Sequence, residues 1–264
     1  MMVKSENAYD ILLDIIGKKT NTARNPSPYP FETERMQAIT LHAGLHERDA
    51  FAIKNCEEAQ KLDAKFANVY IEATGHIDPK KDTVIVMAHH DVVDPHSYNV
   101  EDNTASVANV LNIARKIKRI ELNVNVVIAV VDAEEIVSLT SSGSARLAKK
   151  IKEGKFGNVI QVINLELTAK GTTIVADAPL EMVRVVNFPP NDAMILRHLG
   201  LPAVCITALD EVGLKELQET GHPTIWKVCH KKEDDLRNAI AIDMEDICDW
   251  VIFHLERYEA KKEE

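Results

Sequence analysis

Apolar positions along this chain follow two rhythms. Residues 6–18 carry Ile and Leu at helical spacing, and a second helix is expected from about Phe31 to His42, with Glu32 or Thr33 near its cap. FANVYIEATG (66–75) and TVIVMA (83–88) read as strands separated by a turn in HIDPKKD. After Asp102, the residues Val107, Val110, Leu111, Ala114 and Ile117 return to helical spacing. NVNVVIAVVD is nearly unbroken and β-branched, which predicts a central strand covered on both faces. SSGSARLAKKIKEG reads as a helix, NVIQVINLEL as a buried strand and TTIVAD as a shorter one. NDAMILRHLG followed by LPAVCITAL reads as helix, glycine stop and strand. AIDMEDICDWVIFHLERYEAKK is a long amphipathic helix, with Asp243 its expected N-cap.

Strands alternating with helices over the whole length predict an α/β fold, a mostly parallel sheet with helices on both sides. We find no repeat, linker or long insertion. Residues 1–264 are therefore expected to form a single domain without a separate lid.

Composition narrows the function classes. The chain has 264 residues and a formal net charge of −10, from 41 acidic against 31 basic side chains. Lys149-Lys150 and Lys231-Lys232 read as solvated surface, so a nucleic-acid partner is not expected. The N-terminus has the spacing of an amphipathic helix, and no stretch has the apolar length of a membrane span. Cys56, Cys205, Cys229 and Cys248 show no metal-ligand or redox spacing, which suits reduced thiols in a cytoplasmic protein.

Chemistry gathers where apolar runs end. TVIVMA ends in His89-His90-Asp91, and Asp102 follows on the outgoing loop. NVVIAVVD runs into Glu134-Glu135, NVIQVINL into Glu166, and PTIWKV, read as a further strand, into Cys229-His230. Parallel strands bring such ends to one sheet edge, where α/β sites form. Two histidines and three carboxylates suit a pair of divalent cations, zinc first and cobalt or manganese as alternatives. Alternation sends His90 to the face opposite His89. His96 and Asp94 read as loop surface, Asp192 as a weaker contact candidate and Trp226 as packing. His222 reads equally well as site-adjacent or as an ordinary turn residue.

This order of motifs resembles the co-catalytic di-zinc exopeptidases, most closely their leucyl-aminopeptidase branch. The matching residues are His89-His90-Asp91, Asp102-Asn103, Glu134-Glu135, Glu166 and His230 in HKKEDDL. NDAMILRHLGLPAVCIT also resembles that branch, although of its Ser-Asp-His triplet only Asp192 is kept. The resemblance implies a three-layer αβα sandwich around a mostly parallel, mixed central sheet of about eight strands. It implies two divalent metal ions. Asp102 would bridge them, with Glu135 and His230 on one and His89 and Glu166 on the other. Glu134 would be the catalytic base for a water bridging the metals, and Asp91 would hold the His89 ring.

The implied reaction is hydrolysis of a peptide or small amide, most simply by an aminopeptidase, with the substrate amine drawn to an acidic rim. The alternatives are a deacylase, carboxypeptidase or cyclase of the same superfamily, or an inactive metal-binding subunit. A carboxypeptidase would need an arginine facing the site, for which Arg197 is the candidate. A chain without a lid can also restrict access by forming a homo-oligomer. Three departures stand out. Glu166 replaces the usual Asp, Val100, Glu101 and Val107 replace glycines around Asp102, and no glycine follows Glu135.

Overall fold

The computed structural model describes residues 7–19, 22, 27–53, 63, 65–136 and 141–259. Cys56 and the tail beyond 259 lie outside them. In chain order the elements are α1 (Ala8–Ile15), α2 (Glu34–Ala43), β1 (Glu47–Phe51), β2 (Phe66–Glu72), β3 (Thr83–His89), α3 (Ala105–Ile117), β4 (Asn125–Val131), α4 (Gly143–Lys152), β5 (Val159–Leu165), β6 (Thr173–Ala176), β7 (Arg184–Val185), α5 (Asp192–His198), β8 (Ala203–Leu209), α6 (Glu211–Thr220) and α7 (Ala241–Glu256). A π-type turn spans Val100–Thr104, and a 3-10 segment spans Thr224–Val228.

Local chemistry explains the helix ends. Asn7 and Asp10 cap α1 reciprocally, at 2.8 and 3.2 Å. Thr33 caps α2 through the Met36 N–H at 3.3 Å. Asp210 accepts from the Gly213 N–H at 2.7 Å and starts α6, a helix the apolar pattern does not announce. Asp243 is not the cap of α7. That helix begins after Ile240, and Asp243 lies in its first turn, where its carboxylate accepts the Gly171 N–H at 2.7 Å.

The eight strands form one sheet in the order β1-β2-β4-β3-β5-β8-β6-β7. The β4-β3-β5-β8 centre is parallel, and β2 and β6 flank it antiparallel. The central strands alternate between two cores. Val84, Val86 and Ala88 face the layer built from α1, α2, α3 and α7, whereas Ile85 and Met87 face α4 and α5. The result is the three-layer αβα architecture expected from the sequence.

Chain direction places the site. After β3 the chain adds β4 on one side and later β5 on the other, so β3 lies at a switch point where the outgoing loops diverge and leave a crevice. The segment PTIWKV departs from its expected role. It forms a 3-10 turn rather than a strand, because Pro223 and the turn after it leave no partner ladder to join. β1 is also invisible to periodicity, since only Asp49 of its five residues is buried. Arg146 holds that carboxylate at 2.9 Å through each of two nitrogens. Among the described residues no helix is long and apolar enough to cross a membrane.

A buried histidine on α7 ties stability to pH. His254 is 6% exposed, stacked on Trp250 with ring centroids 5.4 Å apart, and neither of its ring nitrogens has a hydrogen-bond partner. Burial lowers its pKa below the usual 6.5; Glu181 opposes that shift and Arg257 adds to it. The unfolded chain thus takes up a proton near pH 6.5 that the fold resists, so this stability is present above that pH and declines as pH falls through it. His254→Phe keeps the stack and removes the unpartnered nitrogens. It is expected to gain about 1 kcal/mol at neutral pH and more at about pH 5.5. Urea unfolding of both proteins at the two pH values measures this, and a variant no more stable than the native chain at the lower pH contradicts it.

Candidate metal centre

Three strand ends and two loops converge at the crevice beside β3. His89 ends the strand, fully buried, and presents its two nitrogens to different partners. Nδ1 lies 3.2 Å from the Asp91 carbonyl and 3.4 Å from its carboxylate. Nε2 lies 3.0 Å from Glu166 Oε1 and 3.3 Å from Asp102 Oδ1. The other oxygen of Asp102 meets His230 Nε2 at 3.1 Å, and Glu135 Oε2 meets the same nitrogen at 3.1 Å. The donor atoms of His89, Asp102 and Glu166 lie within 4.8 Å of one another, and so do those of Asp102, Glu135 and His230. A third such group joins His89, Glu134 and Glu135. The structure therefore gathers all five residues that the sequence singled out as ligands, with Asp102 common to two sets.

Backbone geometry explains the convergence. After β4 the chain turns at Ala133, which has a left-handed φ of 65°. Asp132 secures that turn by accepting the Ala133 N–H at 2.9 Å and the Ala67 N–H at 2.8 Å. Gly143 packs against it so closely that a Cβ would overlap the Asp132 backbone, so no larger residue fits. The two carboxylate oxygens of Asp91 then accept the N–H groups of Glu134 and Glu135, each at 3.1 Å. Asp91 thus orients both the His89 ring and the Glu134-Glu135 pair.

On the other side, Asp234 accepts the N–H of Glu101 at 2.7 Å and of Asp102 at 3.0 Å. Asn103 ties the same loop to β5 by donating to the Leu165 carbonyl at 3.0 Å. Buried Arg35 bridges the His90 carbonyl and the Thr104 hydroxyl at 3.1 and 2.8 Å, its pKa lowered to about 10 by burial against the pull of Asp91 and Asp132.

Charge is concentrated here. Burial raises the Glu134 carboxyl well above its usual range; His89 opposes this, and Asp192, Glu166 and Glu135 reinforce it. Burial likewise raises Glu135 to about 7, against the bond from His230. Burial alone would lower His89, but Glu166, Asp102 and Asp91 reverse this and hold the ring well above 6.5. Bonds to Asp102 and then Glu135 raise His230 to about 10. The carboxylates thus favour the protonated form of both rings.

The donor chemistry fits zinc. Nitrogen and oxygen ligands about 2.0–2.1 Å from a tetrahedral zinc lie about 3.3 Å apart, near the observed contacts. Glu135 also keeps one buried oxygen with no partner.

The remaining candidates fall elsewhere. His90 points away and reaches the Ala67 carbonyl at 3.1 Å. His96 and His222 are exposed and stand apart from the cavity lining. Asp192 is buried beside the cluster, raised to about 7 chiefly by burial. Arg197 does not face the site; it forms a paired contact with Asp177 at 2.9 and 2.8 Å. A cavity of about 730 Å³ opens over the carboxylates, walled by Leu167, Phe188, Pro189, Met194 and Trp226. Trp226 both packs on Phe188, at 5.2 Å between centroids, and lines the cavity. Sequence reasoning missed Phe188, Arg35 and the backbone clasp by Asp234, although Asp234 lies within the HKKEDDL segment that carries His230.

Known proteins share this architecture. The sequence profile of peptidase family M28 matches residues 68–176, a span that holds Asp91, Glu134 and every candidate ligand except His230. No curated protein matches the sequence. Among solved structures, a glutaminyl cyclase of Porphyromonas gingivalis superposes with a TM-score of 0.72 at 16% identity, over 96% of this chain and 97% of that one. A glutaminyl cyclase from an Acidobacteriales bacterium gives 0.69 at 13% identity, over 97% and 96%. A zinc aminopeptidase from Bacillus subtilis gives 0.56 at 18% identity, over 75% of this chain and 52% of that one. At such identities the likeness is one of fold. This chain is thus similar to peptidase family M28 over residues 68–176, and it shares its fold with these glutaminyl cyclases and this zinc aminopeptidase.

Proposed function

We propose that this protein is a zinc-dependent aminopeptidase holding two ions. The observation that carries the reading is the pair of three-donor sets sharing Asp102, with Glu134 on the same cavity floor. His89 and Glu166 would complete one site, and Glu135 and His230 the other. Zinc bound there would act as a Lewis acid on the scissile carbonyl and lower the pKa of the attacking water. Glu134 would take the proton from that water and deliver it to the departing amine. Its burial favours the protonated carboxyl, which makes the carboxylate a stronger base. Asp91 keeps His89 and Glu134 in register through the contacts described above. A free α-amine would lie on this floor among the carboxylates, while Phe188, Trp226 and Leu167 would supply an apolar wall for the N-terminal side chain. The carboxypeptidase reading loses support because Arg197 is engaged by Asp177.

Glutaminyl cyclisation is the second reading. It is supported by fold similarity over nearly the whole length of two glutaminyl cyclases, whereas the Bacillus subtilis aminopeptidase is covered over 52% of its length. Mass spectrometry of a peptide beginning Gln-Leu separates the two, since an aminopeptidase releases free glutamine and a cyclase removes only ammonia.

The native chain is expected to retain two equivalents of zinc after dialysis, and His230→Ala one, as read by elemental analysis. Because zinc requires neutral imidazoles and both rings are held protonated, binding should release protons and tighten as pH rises from about 6 to 8. Calorimetry in buffers of different ionisation enthalpy measures that release. A single equivalent bound without proton release contradicts the ligand assignment. Glu134→Gln is expected to keep its zinc yet lose about 100-fold or more in kcat on leucine p-nitroanilide; full activity in that variant removes Glu134 as the base.

A further inference from the structure

The cavity has opposite charge at its two ends. Its floor is acidic, built from Asp102, Glu134, Glu135 and Glu166. Its lining also includes Lys227 and Lys231, both exposed and therefore at the mouth. The sequence suggested an acidic rim; the structure puts lysines there. Among the described residues neither lysine makes a close ion pair, although Glu216 lies near enough to Lys227 for the lysine to lower its pKa. Both belong to the segment that delivers His230 to the floor. Its backbone is fixed, because the Lys231 carbonyl accepts from the Ser97 hydroxyl at 2.8 Å and the Asp234 N–H at 3.1 Å, and the Lys231 N–H donates to the Val228 carbonyl at 3.1 Å. Two exposed cations thus line a cavity with room for more than a single residue, on a chain of net charge −10.

We infer that Lys227 and Lys231 are specificity residues that select short peptides carrying an anionic group just beyond the N-terminal residue. The inference rests on the N-terminal reading above. The amine would lie at the floor, and a carboxylate would lie between the lysines. That carboxylate belongs either to the C-terminus of a dipeptide or to an acidic side chain at the second position.

Zinc-loaded Glu134→Gln provides a binding readout free of turnover. Calorimetry would compare Leu-Ala, Leu-Ala amide and Leu-Asp amide, with and without the added pair Lys227→Met and Lys231→Met. Both lysines are exposed, so the substitutions should leave the fold intact. The expected result is about fivefold tighter binding of Leu-Ala than of its amide, falling to near equality in the lysine variant and weakening in high salt. The same preference in Leu-Asp amide alone assigns the side-chain source. Leu-Ala and Leu-Asp amide both binding no tighter than Leu-Ala amide, a preference surviving the lysine changes, or no peptide bound at all would each overturn the inference. If the preference appears and depends on the lysines while the native protein cleaves nothing, the selectivity stands and the peptidase reading falls. If the native protein cleaves acid and amide at equal rates, the peptidase reading stands and the selectivity falls.

Discussion

The buried carboxylate of Asp102, held between two imidazoles, is the contact on which this sheet edge depends. Glu135 and Glu166 close on the same rings from either side, and Glu134 lies beside them. Two bare carboxylates about 4 Å apart repel by about 4 kcal/mol at an effective dielectric of about 20. Several such pairs would consume a stability of about 5–15 kcal/mol, the usual total for a domain. The cluster therefore persists with positive charge inside it or with protons on its carboxyls, and burial raises Glu134, Glu135 and Glu166 accordingly. The upward shifts of His89 and His230 favour protons there in the metal-free chain, and divalent cations would meet the same need more fully.

The scaffold around this charge is largely backbone. Asp91 clasps the amides of Glu134 and Glu135, and Asp234 clasps those of Glu101 and Asp102. A carboxylate that accepts two N–H bonds is anchored and cannot swing in to serve as a ligand. The anchoring carboxylates thus remain distinct from those facing the cavity, although both kinds are buried within a few residues of each other. Asn103, Arg35 and Asp132 extend the same arrangement to neighbouring turns. Such preorganisation lets the floor keep its shape whether its positive charge comes from protons or from metal.

Much of this was legible in the sequence, for a physical reason. Central parallel strands bury both faces and read as unbroken apolar runs, so the polar residues that end them stand out. His89, Glu134 and Glu166 are visible in this way, and Asp102 by its nearness to His89. The register of His89 against His90 follows from strand alternation, and the structure sends the two rings to opposite sides. What periodicity could not reveal lies where burial is one-sided or local. β1 is a polar edge strand held by an ion pair, and α6 is a half-exposed helix. The approach to His230 is a 3-10 turn that imitates a strand because Ile225, Trp226 and Cys229 pack into the cluster of Leu167, Val175 and Leu217 rather than pairing as a sheet. The lysines at the cavity mouth read as ordinary surface until the fold sets them opposite the carboxylates.

The central claim is that folding builds one compartment for paired cations, with Asp102 shared between them. An anomalous-difference map from a crystal grown with zinc, measured on both sides of the zinc absorption edge, tests it most directly. The account predicts two peaks flanking Asp102, one in contact with His89 and Glu166 and the other with Glu135 and His230. A single peak, or none with the rings still bonded to their carboxylates, would contradict it.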